Sequence, residues 1–413
     1  VADQVDAARQ GARLRAVEDR AVSSGSRGQA RNLSAVLRLL HTEGPMTRAA
    51  LTRALDVNRS TMLHLVGTLT DRGFVTEIEG LGGPARTGRP SLLVSLNVRR
   101  VVAAAASIRH DAITTALVGL GGVVLGQHTR RLQVAATEPR EVATILATAL
   151  RAELAAVSTE ESVVVGIGVA VPGSVRPDDG GVERAANLLW DDVPLGDWLR
   201  EDLGDELPII IDNDACLGAL GEHLRGVGRN AEHLVYVLGD IGIGGGVIHD
   251  GQLLRGASGS MAEIGHLPLA YPGKLCRCGA RGCWETLVGA EAILEAAGRT
   301  GSHRHEVAAV VTAAMRGDRT AVAALEEVEA WLAVGVRALA SLYNPQMIVF
   351  AGYLEDVVDH LGDELALVVR RNMLPSAAAV LSITTGSLGD NAVLIGAAER
   401  TLLQAVEQLD LVS

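Results

Sequence analysis

The chain has 413 residues, enough for two or three domains, and its 48% hydrophobic, 21% charged and 2% aromatic composition excludes a disordered protein and calls for cores of aliphatic side chains. No apolar run approaches the roughly 20 residues of a membrane helix, and residues 1–30 lack the apolar centre of a secretory signal, so a cytoplasmic protein with no membrane partner is expected. The net charge of −12 conceals a division: residues 1–100 hold 15 arginines, no lysine and 9 acids, a net +6, and the remainder carries −18, the asymmetry expected when only one end meets phosphates.

Residues 1–30 read as a polar, Ala/Arg-rich arm with a flexible joint at Ser23-Ser24-Gly25-Ser26. From Asn32 onward Leu33, Val36, Leu37 and Leu40 recur at helical spacing, and Glu43-Gly44-Pro45 stops that helix. Thr47 is the expected N-cap of a second helix, with Leu51, Ala54 and Leu55 on one side. Asp56-Val57-Asn58 turns into a third, whose apolar face is Met62, Leu65, Val66 and Leu69 and whose opposite face is Arg59, Ser60, Thr61 and His64. Arg72-Gly73 closes it, and two short strands at 74–78 and 92–96 flank a loop rich in Gly, Pro and Arg.

Three helices and a hairpin in this order predict a winged helix-turn-helix over residues 31–98. Arg59, Ser60, Thr61 and His64 would read base edges in a major groove. Arg86 and Arg89, beside Gly88 at the wing tip, would enter an A·T-rich minor groove. Operator DNA is the expected partner, and because two recognition helices must reach adjacent half-sites, an inverted repeat and a homodimer or homotetramer are expected.

Over residues 99–413, aliphatic runs at 163–171, 208–212, 234–238 and 347–350 alternate with helical stretches, an α/β pattern of two lobes. His266 is followed by Cys276, Cys278 and Cys283, three of the four cysteines in the chain. Thiolates so closely spaced near a histidine favour one tetrahedral Zn²⁺ per chain, and four protein ligands leave it structural rather than catalytic. Cys216 reads as core.

These same residues carry a resemblance. Glu263-Ile-Gly-His266, then Cys-x-Cys-Gly-x-x-Gly-Cys-Trp-Glu285, resembles the signature of the ROK family of sugar kinases and repressors, and the likeness extends from the winged helix to Ile395-Gly396-Ala397. It implies a two-lobed, actin-like ATPase (ribonuclease H-like) sugar-kinase fold with a hexose in its cleft. Sugar contacts carry over onto Asn187, Asn213, Asp214, Glu263, His266 and Glu285, with Gly173 close by. Carboxylates and amides converging beside a rigid metal loop are groups that can pair the many hydroxyls of a sugar.

In the family's kinases the residue matching Asp214 takes a proton from the hydroxyl that attacks ATP. Those kinases hold ATP with Asp-x-Gly-Gly-Thr, where this chain has Ser107-Ile108-Arg109-His110-Asp111. Arg109 and His110 fill space that backbone would use to approach phosphate, and Ser107 lacks the metal-orienting carboxylate. A second glycine-rich loop, Gly239 to Gly246, has Asp240-Ile241 where the kinases have Gly-Thr, and is read as a tight hairpin. The expectation is a sugar-responsive repressor of carbohydrate uptake or metabolism genes, relieved by a small-molecule sugar and lacking kinase activity. The alternative is a bifunctional ATP-dependent sugar kinase that also binds DNA.

Overall fold

The computed structural model describes residues 24–79, 92–157, 161–259, 261–301 and 304–407; Arg86 and Arg89 lie outside the described residues, as does the arm up to residue 23. Two compact units divide between Asn97 and Val98, with residues from Leu403 belonging to the first.

In the first unit α1 (Ser24–Glu43) begins inside the expected joint, earlier than the apolar pattern alone suggests. Only Gly25 and Gly28 oppose helix there, and the fully packed stripe Leu33, Val36, Leu37 and Leu40 anchors the helix downstream. Gly44 ends it at φ +86°, a conformation that favours glycine. After β1 (Met46–Thr47) comes α2 (Arg48–Ala54), whose N-cap Thr47 hydroxyl accepts from the Ala50 N–H at 3.1 Å. Leu51 is buried but Ala54 is exposed, contrary to expectation, because the helix ends there and Leu55 leaves helical geometry.

Helix α3 (Arg59–Asp71) is capped by Asn58, whose Oδ1 accepts from the Thr61 N–H at 2.7 Å, and Met62, Leu65, Val66 and Leu69 are each within 1% of full burial. Strands β2 (Val75–Glu79) and β3 (Leu92–Leu96) pair antiparallel with Val75 opposite Leu96, and the sheet order is β1-β3-β2. The two-residue β1 has no sequence signature, since so short a segment shows no period.

The second unit holds two five-stranded sheets. The first uses β4 (Val101–Ile108), β5 (Ala112–Gly119), β6 (Val123–Arg131) and, after α4 (Pro139–Ala155), β7 (Val163–Val171). A small sheet of β8 (Ser174–Val175), β9 (Val182–Ala185) and β10 (Trp190–Val193) follows, then α5 (Leu195–Leu203) and the fifth strand β11 (Ile209–Asn213), in the order β11-β7-β4-β5-β6. Every residue of β4 and β5 is buried, as in a sheet covered on both faces, and Leu146, Leu150, Val169, Trp190 and Leu199 share its core.

Helix α6 (Asp214–Arg225) leads to the second sheet, formed by β12 (Leu234–Gly239), β13 (Ile243–His249) and β14 (Gln252–Leu253). Past α7 (Glu285–Val288) and α8 (Arg319–Tyr343), β15 (Met347–Gly352) and β16 (Ser382–Thr385) complete the order β14-β13-β12-β15-β16. Its core gathers Trp284, Leu325, Leu332, Val336 and Phe350. Among the described residues no helix is long and apolar enough to cross a membrane.

Candidate functional site

Strand ends deliver the first polar groups. β7 runs into Pro172-Gly173, where Gly173 takes φ +105° and an added Cβ would lie 2.2 Å from the Arg184 carbonyl oxygen, so no side chain fits. Asn213 ends β11 and caps α6: its Oδ1 accepts from the Cys216 N–H at 3.0 Å, and its Nδ2 donates to the Gly173 carbonyl at 3.1 Å. One amide therefore locks the turn and starts the helix that presents Asp214. That helix packs directly on β13, because a Cβ on Gly246 would sit 2.5 Å from the Ala215 carbonyl oxygen and one on Gly244 2.9 Å from the Ala215 Cβ. The β12–β13 connection is the expected tight hairpin, with Gly239 opposite Ile243, and its glycines serve the packing of α6.

His266, Cys276, Cys278 and Cys283 converge, their four ligand atoms all within 4.8 Å of one another. His266 Nδ1 is 3.6 Å from Cys276 Sγ, and Cys278 Sγ is 3.6 Å from Cys283 Sγ. A tetrahedral shell of sulfurs about 2.3 Å from an ion needs edges of about 3.8 Å, so donor types and spacing fit a zinc-like cation. His266 Nε2 faces the other way, 3.9 Å from Glu263 Oε2. Glu285 Oε1 lies 2.7 Å from Cys276 Sγ and 3.5 Å from His266 Nδ1. Between Cys283 and Glu285, Trp284 is fully buried, donates its Nε1–H to the Trp331 carbonyl at 3.0 Å, and packs on Gly335, where a Cβ would lie 2.1 Å from the ring. The loop is thus tied to the core at its end.

Gly173, Asn187, Asn213, Asp214, Glu263, His266 and Glu285 all line one cavity of about 370 Å³. Burial pushes the Asp214 carboxyl up to about 7, with the charges of Asp240 and Glu263 acting in the same direction. Burial also raises Glu263, reinforced by Glu285 and opposed by His266. Ala262, next to Glu263, holds φ +66°, strained for a residue with a Cβ. Two lining arginines, Arg184 and Arg277, escape the sequence reading, since Arg184 lies in no recognisable pattern and Arg277 fills an unspecified position of the cysteine motif. Arg277 donates to Asn187 Oδ1 at 3.3 Å and to Glu291 at 3.2 Å, and so fixes the amide at the rim.

His110 and Asp240 line the same cavity, and their charges are paired within the protein. Arg109 from the β4–β5 loop donates to Asp240 Oδ1 of the β12–β13 loop at 3.2 Å, and His110 Nδ1 lies 3.4 Å from Asp240 Oδ2. Arg109 also lies 3.6 Å from both Asp111 and Asp390, and Asp390 is bonded to Arg304. The hydrogen bond to Asp240 holds His110 above its ordinary value against the effect of burial. Burial works against ionising Asp240, but the His110 hydrogen bond and the Arg109 charge outweigh it and hold its carboxyl low. Ser107, Arg109, Asp214 and Asp240 border a void of about 40 Å³, room for about one or two waters, and Ser107 and Arg109 also line a space of about 240 Å³ with Asp111, Arg131 and Asp390.

In the first unit Arg59, Ser60 and His64 are exposed and Thr61 is half-buried, all on the open side of α3. Ser60 Oγ donates to Asn58 Oδ1 at 2.7 Å, so part of its capacity serves the cap. Leu63, 56% exposed among these polar groups, is an apolar contact that the sequence reading does not single out.

A ROK family model matches residues 107–403, and an IclR helix-turn-helix domain model matches residues 30–79. The xylose repressor of Bacillus subtilis is 27% identical over 365 residues, covering 88% of this chain and 93% of that protein. A glucokinase of Halalkalibacterium halodurans is 32% identical over 270 residues, 62% of this chain and 81% of its own length. Among solved structures, a ROK family transcriptional regulator described as a homologue of the Escherichia coli Mlc protein superposes with a TM-score of 0.74 at 22% identity, covering 93% of this chain and 99% of that one.

Proposed function

Since the chain belongs to the ROK family, we propose that it is a sugar-responsive, DNA-binding repressor that recognises its sugar without phosphorylating it. The observation that carries this reading is the pairing of Arg109 and His110 with Asp240 beside a cavity whose other wall keeps Asp214, Glu263, His266 and Glu285. Hydroxyl-pairing groups remain, while the loops that would cradle phosphate use their charges on each other. The similarity to the xylose repressor takes in 88% of the chain, against 62% for the glucokinase, which accords with a repressor carrying its own DNA-binding unit.

In this reading residues 31–98 bind DNA and 99–413 bind the effector. Arg59, Ser60, Thr61 and His64 contact the major groove of an inverted repeat, Arg86 and Arg89 an A·T-rich minor groove, in a cytoplasmic homodimer or homotetramer. Gly173, Asn187, Asn213, Asp214, Glu263, His266 and Glu285 hold the sugar. One Zn²⁺ on His266, Cys276, Cys278 and Cys283 would fix the loop, with His266 presenting Nδ1 to the ion and Nε2 to the sugar. Closure of the two lobes on the sugar shifts the protein away from its operator-binding state.

The test is a thermal-shift panel of mono- and disaccharides and their phosphates, followed by footprinting on an inverted-repeat operator with and without the sugar that stabilises. Release of the footprint by that sugar is the expected result, and protection indifferent to every stabilising sugar counts against the proposal.

A bifunctional kinase is the second reading, favoured by the glucokinase similarity and by Asp214, whose carboxyl near 7 suits proton transfer. Asp214→Asn separates the two. A repressor loses sugar affinity, whereas a kinase loses turnover and keeps much of its binding.

A further inference from the structure

At the opposite end of the β12–β13 hairpin from Asp240, three side chains converge that the sugar site does not use. His233 precedes β12, His249 ends β13, and Asp250 follows in a two-residue turn with Gly251. The His233 and His249 Nδ1 atoms are 3.1 Å apart, with ring centroids at 4.6 Å and planes tilted by 49°. The Asp250 carboxylate reaches both rings from the other edge, 3.5 Å from His233 Nε2 and 3.6 Å from His249 Nε2. One potential ligand atom from each of the three lies within 4.8 Å of the others.

Backbone geometry holds these positions. His233 N–H donates to Gln346 Oε1 at 3.0 Å and its carbonyl accepts from Gln346 N–H at 2.9 Å. Gly251 N–H donates to the Glu232 carbonyl at 3.0 Å, and the Asp250-Gly251 turn, with φ of +51° and +69°, links His249 to its partner Gln252. Two neutral imidazoles facing Nδ1 to Nδ1 have at most one hydrogen bond to make between them, and His233 Nδ1 also lies 3.4 Å from the Asp250 N–H. One ring nitrogen from each histidine and a carboxylate oxygen lie close enough together for a single cation to take all three.

We propose that His233, His249 and Asp250 form a second metal site, selective for a borderline divalent transition ion such as Zn²⁺, Ni²⁺ or Co²⁺. Imidazole selects these ions over Mg²⁺ and Ca²⁺, which prefer all-oxygen shells. With three protein ligands the shell stays open and the ion exchanges readily, unlike one enclosed by three thiolates and a histidine.

The untagged full-length chain is loaded with Zn²⁺, dialysed, and assayed for metal before and after a brief pass over a weak chelator, beside His249→Ala and Asp250→Asn. Wild type should carry one more zinc per chain than either variant, and the chelator should remove that ion first. Ni²⁺ titration of the same proteins should give at least about 10-fold weaker binding in each variant. His249 and Asp250 are exposed, so unchanged circular dichroism melts of the metal-free variants will verify folding. Equal zinc content and equal Ni²⁺ affinity across the three proteins would overturn the site, whatever the cysteine loop holds.

Discussion

Around the cavity Asp214, Glu263, His266 and Glu285 hold hydrogen-bonding atoms toward an open space, whereas His110 and Asp240, which also line it, bond to each other, and Asp240 to Arg109 behind them. The first arrangement leaves the Asp214 and Glu263 carboxyls raised above their ordinary range, a state that hydroxyl donors relieve. The second already pairs its charges within the protein. In the proposed reading, recognition and group transfer are separable because different loops carry them.

The largest expected effect comes from the metal loop. Cys283→Ser, a change at a residue that does not itself line the cavity, should abolish zinc binding and weaken sugar binding about 100-fold, read by elemental analysis and calorimetry. Undiminished affinity in metal-free protein would show that the polar wall stands without its ion.

Asp214→Asn should weaken sugar binding by about 10- to 100-fold, the range expected for losing a charged hydrogen-bond acceptor. Because the folded-state value is raised to about 7, wild-type affinity should strengthen as pH climbs through 7 and ionises the carboxylate, whereas the variant should be flat. Folding stability runs the other way. The contribution of a raised group is complete below its unfolded value of about 4 and is lost as pH rises through about 7.

The sequence reveals these two walls unevenly. The candidate metal ligands are legible because 18 residues contain all four, and α3 is legible because Asn58, Met62, Leu65, Val66 and Leu69 encode its cap and buried face locally. The polar lining from Gly173 to Glu285 comes from five separate segments, and only the family signature joins them. The Arg109–Asp240 bond spans 131 positions and follows from no local pattern, although each partner is visible as a departure from the kinase motif. Arg184, Arg277 and Leu63 matter through where the fold places them, and strand β1 is too short to have a period.

Smaller effects sharpen the closed wall. Asp240→Ala should lower stability by about 1–2 kcal/mol, since Arg109 and His110 lose their partner. His110 is raised in the folded protein, so its stabilising contribution is present below the ordinary histidine range and is lost as pH rises through its elevated value. Melts of wild type and Asp240→Ala across pH 5 to 9 should therefore draw closer toward the alkaline end, leaving the difference due to Arg109. Smallest of all, for the cavity, is the effect of the DNA face. Arg59→Ala should cost about 1–3 kcal/mol of operator affinity and Arg89→Ala should lower the salt slope by about 1, with sugar affinity unchanged in both.

The most direct test of recognition without transfer is a coupled ATP-turnover assay on wild-type protein, run with the sugar that stabilises it most in the thermal-shift panel and at concentrations where calorimetry shows the site filled. Saturable sugar binding with turnover indistinguishable from a no-sugar control is the predicted result, and sugar-dependent turnover on the order of 1 per second or faster would contradict it.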